Sequence, residues 1–315
     1  MNVVCCGDLA VRDARPVVTR AKRFGLPLMI LMLLGVSGQT IAAERAPEAS
    51  SLGPVFRDLA YVRDGHERQK LDLYLPAAPT EKPAPVIVWV HGGAWRAGSK
   101  DRCPAKRFVR LGYAVASINY RLSQHAIFPA QIQDCKAALR WLRAHAKQYN
   151  LDPKRFGVWG ASAGGHLVAM LGTAGDVKEF DVGAHLDRSS RVQAVCDYFG
   201  PTDFTKMNDF PGRMDHDAAD SPESKLVGGP IQENKDKVQR ANPITYVTKD
   251  DPPFLIVHGD KDPLVPHNQS ELLLAALRKA KVKAKLHTVK NGGHGGFAPR
   301  EVEPLVTEFF AKHLK

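Results

Sequence analysis

The stretch Phe156-Gly-Val-Trp-Gly-Ala-Ser-Ala-Gly-Gly-His166 joins a short apolar run, Phe156 to Trp159, to an apolar segment with helical spacing that begins after Ser162. A serine lifted onto a sharp strand-to-helix turn needs neighbours with little or no side chain on both sides. Gly160, Ala161, Ala163 and Gly164 supply them. At this chain's glycine and serine content, chance yields well under one Gly-x-Ser-x-Gly pentapeptide, and the strand-turn-helix setting makes the match more specific.

Outward from this turn, similar apolar runs recur: Val86 to Val90, Ala114 to Ile118, Val192 to Cys196 and Phe254 to Val257. Continuous runs of this length suit parallel strands buried on both faces. Helical patterns separate most of them. In Pro129 to Tyr149, Ile132, Cys135, Leu139, Leu142 and Ala146 recur at three- and four-residue spacing. Others run from about His267 to Lys279 and from Val302 to His313. Nearer the N-terminus, two strand-like segments flank Arg63-Asp-Gly-His66, and the second alternates at Leu71, Leu73 and Leu75, as in an antiparallel hairpin. The expected architecture is α/β: a mostly parallel central sheet with an antiparallel N-terminal hairpin and helices on both faces. Residues 201–250, rich in Pro, Asp, Gly and Lys, break the alternation. They are expected to form a small cap insertion packed over the sheet edge, because a structureless loop of that length is improbable inside a domain.

A lone serine is a poor nucleophile and needs a base, an acid to orient the base, and an anion site. Two carboxylates, Asp260 and Asp262, follow the strand Phe254 to Val257, and His294 follows the strand Lys285 to Val289. Parallel strands end on one edge of a sheet, which is where Ser162, an aspartate and His294 can converge. His91-Gly-Gly-Ala-Trp95 follows the first parallel strand. Its small residues let backbone N–H groups of Gly92, Gly93 and Ala94 point at a developing oxyanion together with that of Ala163 at the helix start. His91, on the anion-hole loop itself, reads as a loop-holding residue rather than a base.

The order His-Gly-Gly, Gly-x-Ser-x-Gly, Asp, His resembles the esterase/lipase branch of the α/β-hydrolase fold. Gly157 to His166, Asp197-Tyr-Phe-Gly-Pro201 and Gly259-Asp-Lys-Asp-Pro-Leu264 are similar to bacterial exported esterases of the bifunctional feruloyl and acetyl xylan esterase (BD-FAE-like) type. The resemblance covers about residues 54–315. It implies a serine carboxylesterase with Ser162 as nucleophile, His294 as base and Asp262, in its Asp-Pro-Leu setting, as the orienting acid. It further implies an acyl-enzyme and short-chain acyl esters as substrates, among them acetyl or feruloyl groups on polysaccharide, with no metal or organic cofactor. A serine peptidase of the same fold and a non-catalytic hydrolase-like binding protein are the alternatives. Hormone-sensitive-lipase-like relatives usually carry a third glycine where this chain has Ala94 and an acidic residue where it has Ala161, so the chain departs from that subfamily.

The chain has 315 residues and a formal charge of +11. Cations Arg20, Lys22 and Arg23, the apolar run Leu26 to Val36 and the small residues Ser37 to Ala43 follow the order of a cleaved export signal. The run is too short for a stable membrane span. The expected division is a signal peptide at 1–43, a linker at 44–53 and one hydrolase domain at 54–315, with an exported location, periplasmic or secreted. Removal of residues 1–43 leaves 272 residues with 39 Lys+Arg against 31 Asp+Glu, or +8. The densest basic cluster, Arg278, Lys279, Lys281, Lys283 and Lys285, sits at a helix end without interleaved aromatics, which argues against a nucleic-acid partner. Cys103, Cys135 and Cys196 read as buried thiols. Met207, Phe210, Pro211 and Met214 of the insertion read as core first and pocket lining second. Asp209, Asp215, Asp217 and Asp220 lack the spacing of a calcium loop and read as a solvated face.

Overall fold

The computed structural model describes residues 53–77, 82–210 and 212–315. The expected signal peptide, the linker up to residue 52 and Pro211 lie outside them. The strands are β1 (Val55–Ala60), β2 (Lys70–Tyr74), β3 (Ala84–Val90), β4 (Ala114–Ile118), β5 (Leu151–Ala161), β6 (Ala194–Tyr198), β7 (Phe254–Gly259) and β8 (Ala284–Val289). The helices are α1 (Ala130–Ala144), α2 (Ala163–Thr173), α3 (Pro222–Val227), α4 (Lys235–Ala241), α5 (Asn268–Lys279) and α6 (Pro299–Leu314). Among the described residues the strands form one sheet in the order β1-β2-β4-β3-β5-β6-β7-β8. β2 runs antiparallel to both β1 and β4, and all pairings from β4 to β8 are parallel.

The apolar runs are continuous because both faces of the sheet are covered. In β3, Val86, Val88 and Val90 join a core with Leu139 and Leu142 of α1, Leu167 of α2 and Leu273 of α5. Ile87 and Trp89 point the other way, into a core with Phe108, Val302, Val306 and Phe310, the last three from α6. At the β8 edge, Lys281, Lys283 and Lys285 are exposed, and lysines of this kind discourage another strand from pairing there. Cys103, Cys135 and Cys196 are free and buried. Burial pushes the Cys103 thiol up to about 11, which leaves it unreactive.

The spacing in α1 identifies its core face but says nothing of the cations beside it. Lys136 and Arg140 are almost wholly buried. Lys136 Nζ donates to the carbonyls of Ala174 (3.1 Å) and Val177 (2.9 Å) and lies 3.2 Å from Asp181 Oδ1. Arg140 donates to Asp181 Oδ1 (3.0 Å) and to the carbonyls of Val182 and Ala184. These cations fasten the long connection between α2 and β6 to the helix. Removing one strands the buried carbonyls and leaves Asp181 short of a partner. Arg140→Ala is therefore expected to destabilise the protein by about 3 kcal/mol in denaturant unfolding. A loss below about 0.5 kcal/mol, the range of ordinary surface changes, would contradict this account.

The segment 201–250 is not structureless. It contains α3, α4 and two 3-10 turns, Phe204–Asp209 and Pro243–Tyr246. Gln269 Oε1 of α5 accepts from the N–H groups of Thr202 and Asp203, both at 2.8 Å. Phe128 N–H donates to Leu226 O at 2.7 Å, and His166 Nε2 of α2 donates to Ala241 O at 2.6 Å. Within the insertion Met207 is fully buried in the core, whereas Phe210 is exposed.

Candidate active site

Ser162 stands between the end of β5, at the centre of the sheet, and the first turn of α2. Its backbone is left-handed, φ 57° and ψ −124°, a conformation that costs a non-glycine residue free energy and is commonly held at functional sites. Ser162 N–H donates to Tyr198 O (2.8 Å) and Ser162 O accepts from His166 N–H (3.0 Å), so neighbouring main chain holds the turn. Its side chain makes no cap bond to α2 and stays available to a ligand. Gly164 explains the tightness of the turn: a Cβ there would lie 2.1 Å from Val90 O at the end of β3.

The same end of β3 leads into the His91 to Trp95 loop. A Cβ on Gly92 would sit 2.6 Å from Ala161 O and 3.3 Å from Ser162 Cβ, so the missing side chain lets this loop lie against the serine. Gly93 (φ 112°), Ala94 (φ 53°) and Trp95 (φ 54°) all turn through the left-handed region. Ala163, as the first residue of α2, has an N–H without an intrahelical partner. His91 points away from this chemistry. Its Nδ1–H donates to Gly92 O (2.7 Å), its Nε2 accepts from Arg68 (3.1 Å), and its ring stacks on Tyr120. Burial lowers its pKa to about 4, which keeps the ring neutral while it braces the loop.

β7 and β8 end on the same edge of the sheet. His294, after β8, donates from Nδ1 to Asp262 Oδ2, after β7, at 2.7 Å. Asp262 is buried, whereas Asp260 is exposed. Asp262 Oδ1 accepts from the N–H groups of Leu264 (2.8 Å) and Val265 (3.0 Å). Burial opposes its ionisation, but hydrogen bonds from His258, His294 and Val265 outweigh that and hold the carboxyl well below the usual carboxylate range.

His258 was not singled out by the sequence. It is the penultimate residue of β7, is fully buried, and its Nε2–H lies 3.2 Å from Asp262 Oδ2 and 2.9 Å from Val265 O. Its Nδ1 then accepts from Ser270 Oγ–H at 2.7 Å. Burial lowers its pKa, so a neutral second histidine supports the carboxylate that His294 also meets. The available signal was its place: a polar side chain near the end of a fully buried strand must find hydrogen bonds.

Ser162, His294, Ala94 and Ala163 line one cavity of about 70 Å³. Asp262 stands behind His294, and Gly92 and Gly93 belong to the His91 to Trp95 loop that lies against the serine. The other walls include Trp95, Pro201, Met214 and Leu264, together with His216 and Glu223 of the insertion. Of the insertion residues weighed from sequence, Met214 thus reaches the cavity. A small cavity with a free hydroxyl, a carboxylate-bonded imidazole and nearby N–H groups is equipped for acyl transfer.

An open, mostly parallel sheet with a serine on a central strand-to-helix turn and a histidine and aspartate beyond neighbouring strands defines a protein of the α/β-hydrolase fold. Residues 71–277 match the BD-FAE family model, and the chain belongs to that family. It is 34% identical to Esterase LipQ of Mycobacterium tuberculosis over 227 residues, which are 71% of this chain and 52% of LipQ. The chain thus spans about half of that relative's length. Among solved structures, a truncated carbohydrate esterase from gut microbiota aligns with a TM-score of 0.75 and 37% identity, over 83% of this chain and 96% of that one. An acetyl ester-xyloside bifunctional hydrolase from Caldicellulosiruptor lactoaceticus aligns with a TM-score of 0.61 and 26% identity, over 77% and 85% of the two chains. No helix among the described residues is long and apolar enough to cross a membrane.

Proposed function

We propose that this protein is a serine carboxylesterase acting on short-chain acyl esters, including acetyl or feruloyl groups carried by polysaccharide. The observation that carries the reading is the left-handed Ser162 in one cavity with His294, whose Nδ1–H is bonded to the buried Asp262 at 2.7 Å. In this reading His294 takes the Ser162 proton as the hydroxyl attacks the ester carbonyl, and Asp262 holds the tautomer that leaves Nε2 free to accept it. N–H groups of the Gly92 to Ala94 loop and of Ala163 receive the oxyanion. His294 then returns the proton to the departing alcohol, and water releases the acyl group through the same base. General base catalysis contributes about 10²–10⁴ in rate and an anion-hole donor about 10²–10³.

The substrate reading has separate support. A cavity of about 70 Å³ at Ser162 suits an acetyl-sized group better than a long chain. The names of the carbohydrate esterase and of the acetyl ester-xyloside hydrolase point to sugar-linked esters. A turnover panel of acetyl, butyryl, octanoyl and feruloyl p-nitrophenyl or methyl esters, with acetylated xylan and a peptide substrate alongside, tests both parts. The expected result is kcat/KM falling by at least about tenfold from acetyl to octanoyl, with acetate released from xylan and no peptide cleavage. Peptide cleavage without ester turnover would overturn the reading, and octanoyl preference would overturn its short-chain part.

A further inference from the structure

The insertion places two ionisable side chains in the wall of the Ser162 cavity, His216 and Glu223. Both are more than nine-tenths buried, with 2% and 3% exposure. His216 Nδ1 comes within 3.1 Å of Glu223 Oε2, but without the alignment of a hydrogen bond. Among the described residues, both ring nitrogens of His216 and Oε2 of Glu223 are buried with no hydrogen-bond partner. Native proteins seldom leave three such atoms together. Of the residues that share this wall, Met214, Pro222, Leu264 and Val265 are apolar, Ser162 and His294 make no hydrogen bond to the pair, and Trp95 Nε1 is itself buried without a partner.

The main chain nonetheless fixes both residues in this position. His216 N–H donates to Asn208 Oδ1 at 3.0 Å, and Asn208 Nδ2 donates to Asp215 Oδ1 at 2.8 Å. Two residues before Glu223, Ser221 Oγ accepts from Ser224 N–H at 3.0 Å and caps α3. The pair is thus held in the cavity by its backbone, while its side-chain polar atoms are left for something else. A deprotonated carboxylate can only accept hydrogen bonds, and an imidazole always carries at least one donor. A single hydroxyl, donating to Glu223 and accepting from His216, answers both.

Resting on the ester-hydrolase reading, we infer that His216 and Glu223 form a polar subsite that binds a free hydroxyl of the substrate beside the scissile ester. The site then favours esters of hydroxylated compounds over otherwise matched esters in which that hydroxyl is capped or missing. A methyl ether keeps the oxygen but has no proton for Glu223. An all-carbon group leaves all three polar atoms stranded. Sites built to hydrogen-bond a hydroxyl reject analogues lacking it far more strongly than apolar pockets reject a size change.

The test compares kcat/KM for 2-hydroxyethyl acetate and 2-methoxyethyl acetate, and for p-nitrophenyl glycolate and p-nitrophenyl methoxyacetate, which carry the hydroxyl on the alcohol and acyl sides respectively. The wild type is expected to favour the hydroxylated member of at least one pair by about tenfold or more. In Glu223→Leu and, separately, His216→Phe, that ratio is expected to fall to about twofold or less. Because each ratio compares two substrates on the same active molecules, a partly unfolded variant does not move it. A wild-type ratio near one in both pairs, or a high ratio unchanged in both variants, overturns the subsite while leaving the ester-hydrolase reading intact. Failure of the wild type to hydrolyse any of the four esters overturns both.

Discussion

Ser162→Ala is expected to lower kcat on p-nitrophenyl acetate by about 10⁵–10⁶-fold while leaving the fold unchanged. The effect is large because the proposed base, anion site and acid all act through this one oxygen. With it gone, they can only assist water, and the residual rate reflects binding and oxyanion stabilisation. Stability is expected to stay within about 0.5 kcal/mol. The Ser162 side chain caps nothing, its backbone bonds to Tyr198 and His166 remain, and alanine meets the same penalty at φ 57° that serine does. Circular dichroism and thermal unfolding check the fold, and loss of covalent labelling by a fluorophosphonate checks the site. Retention of most turnover by a folded variant would show that another group is the nucleophile.

Asp262→Asn is expected to cost about 10⁴-fold in kcat, whereas Asp260→Asn is expected to stay within about twofold of wild type. Asp262 Oδ1 is committed to two backbone N–H groups and Oδ2 to the N–H groups of His294 and His258. An asparagine that keeps its oxygen on the backbone turns an amide NH₂ toward two imidazole donors. His294 relieves the clash by moving its proton to Nε2, which removes the lone pair that would accept from Ser162. His258 has no such freedom while Nδ1 accepts from Ser270 and Nε2 donates to Val265, so the substitution also costs about 1–3 kcal/mol of stability. The folded-state pKa of Asp262 is depressed. Its ionisation therefore stabilises the fold fully above the ordinary carboxylate pKa of about 4, and this contribution is lost progressively as pH falls from there toward the depressed folded-state value. The stability gap between wild type and Asp262→Asn is accordingly expected to narrow in acid. Equal rate losses at positions 260 and 262 would contradict this geometry.

The serine turn was legible in the sequence because its demand is local: a backbone forced through a tight corner accepts only small neighbours, and Gly164 has no room for a methyl group. The parallel strands were legible for a similar reason, since coverage on both faces leaves no polar alternation in β3 or β6. Asp260 and Asp262 could not be separated on residue type alone. Two carboxylates in one loop differ only in which of them turns inward, and that is decided by the Leu264 and Val265 N–H groups and by His258. Lys136 and Arg140 flank the apolar stripe of α1, where cations ordinarily reach solvent, and the loop that buries them lies about 40 residues away. His216 and Glu223 were hidden for the same reason, because their role depends on where the insertion settles.

The insertion is moored to the rest of the protein in two ways: its main chain is bound by Gln269 at Thr202 and Asp203, by Phe128 at Leu226 O and by His166 at Ala241 O, and its Phe204, Met207, Leu226, Ile231 and Val238 are buried in the core. The residues that anchor it and a residue such as Met214 that faces the cavity are different ones. Substitutions at Met214 can therefore redraw the mouth of the cavity while the anchors keep the insertion on α2 and α5, and without shifting the strand ends that carry Ser162, Asp262 and His294. In the proposed reading, chemistry and selectivity thus fall to different stretches of one chain, and the cavity-facing positions of the second can change while the first stays still.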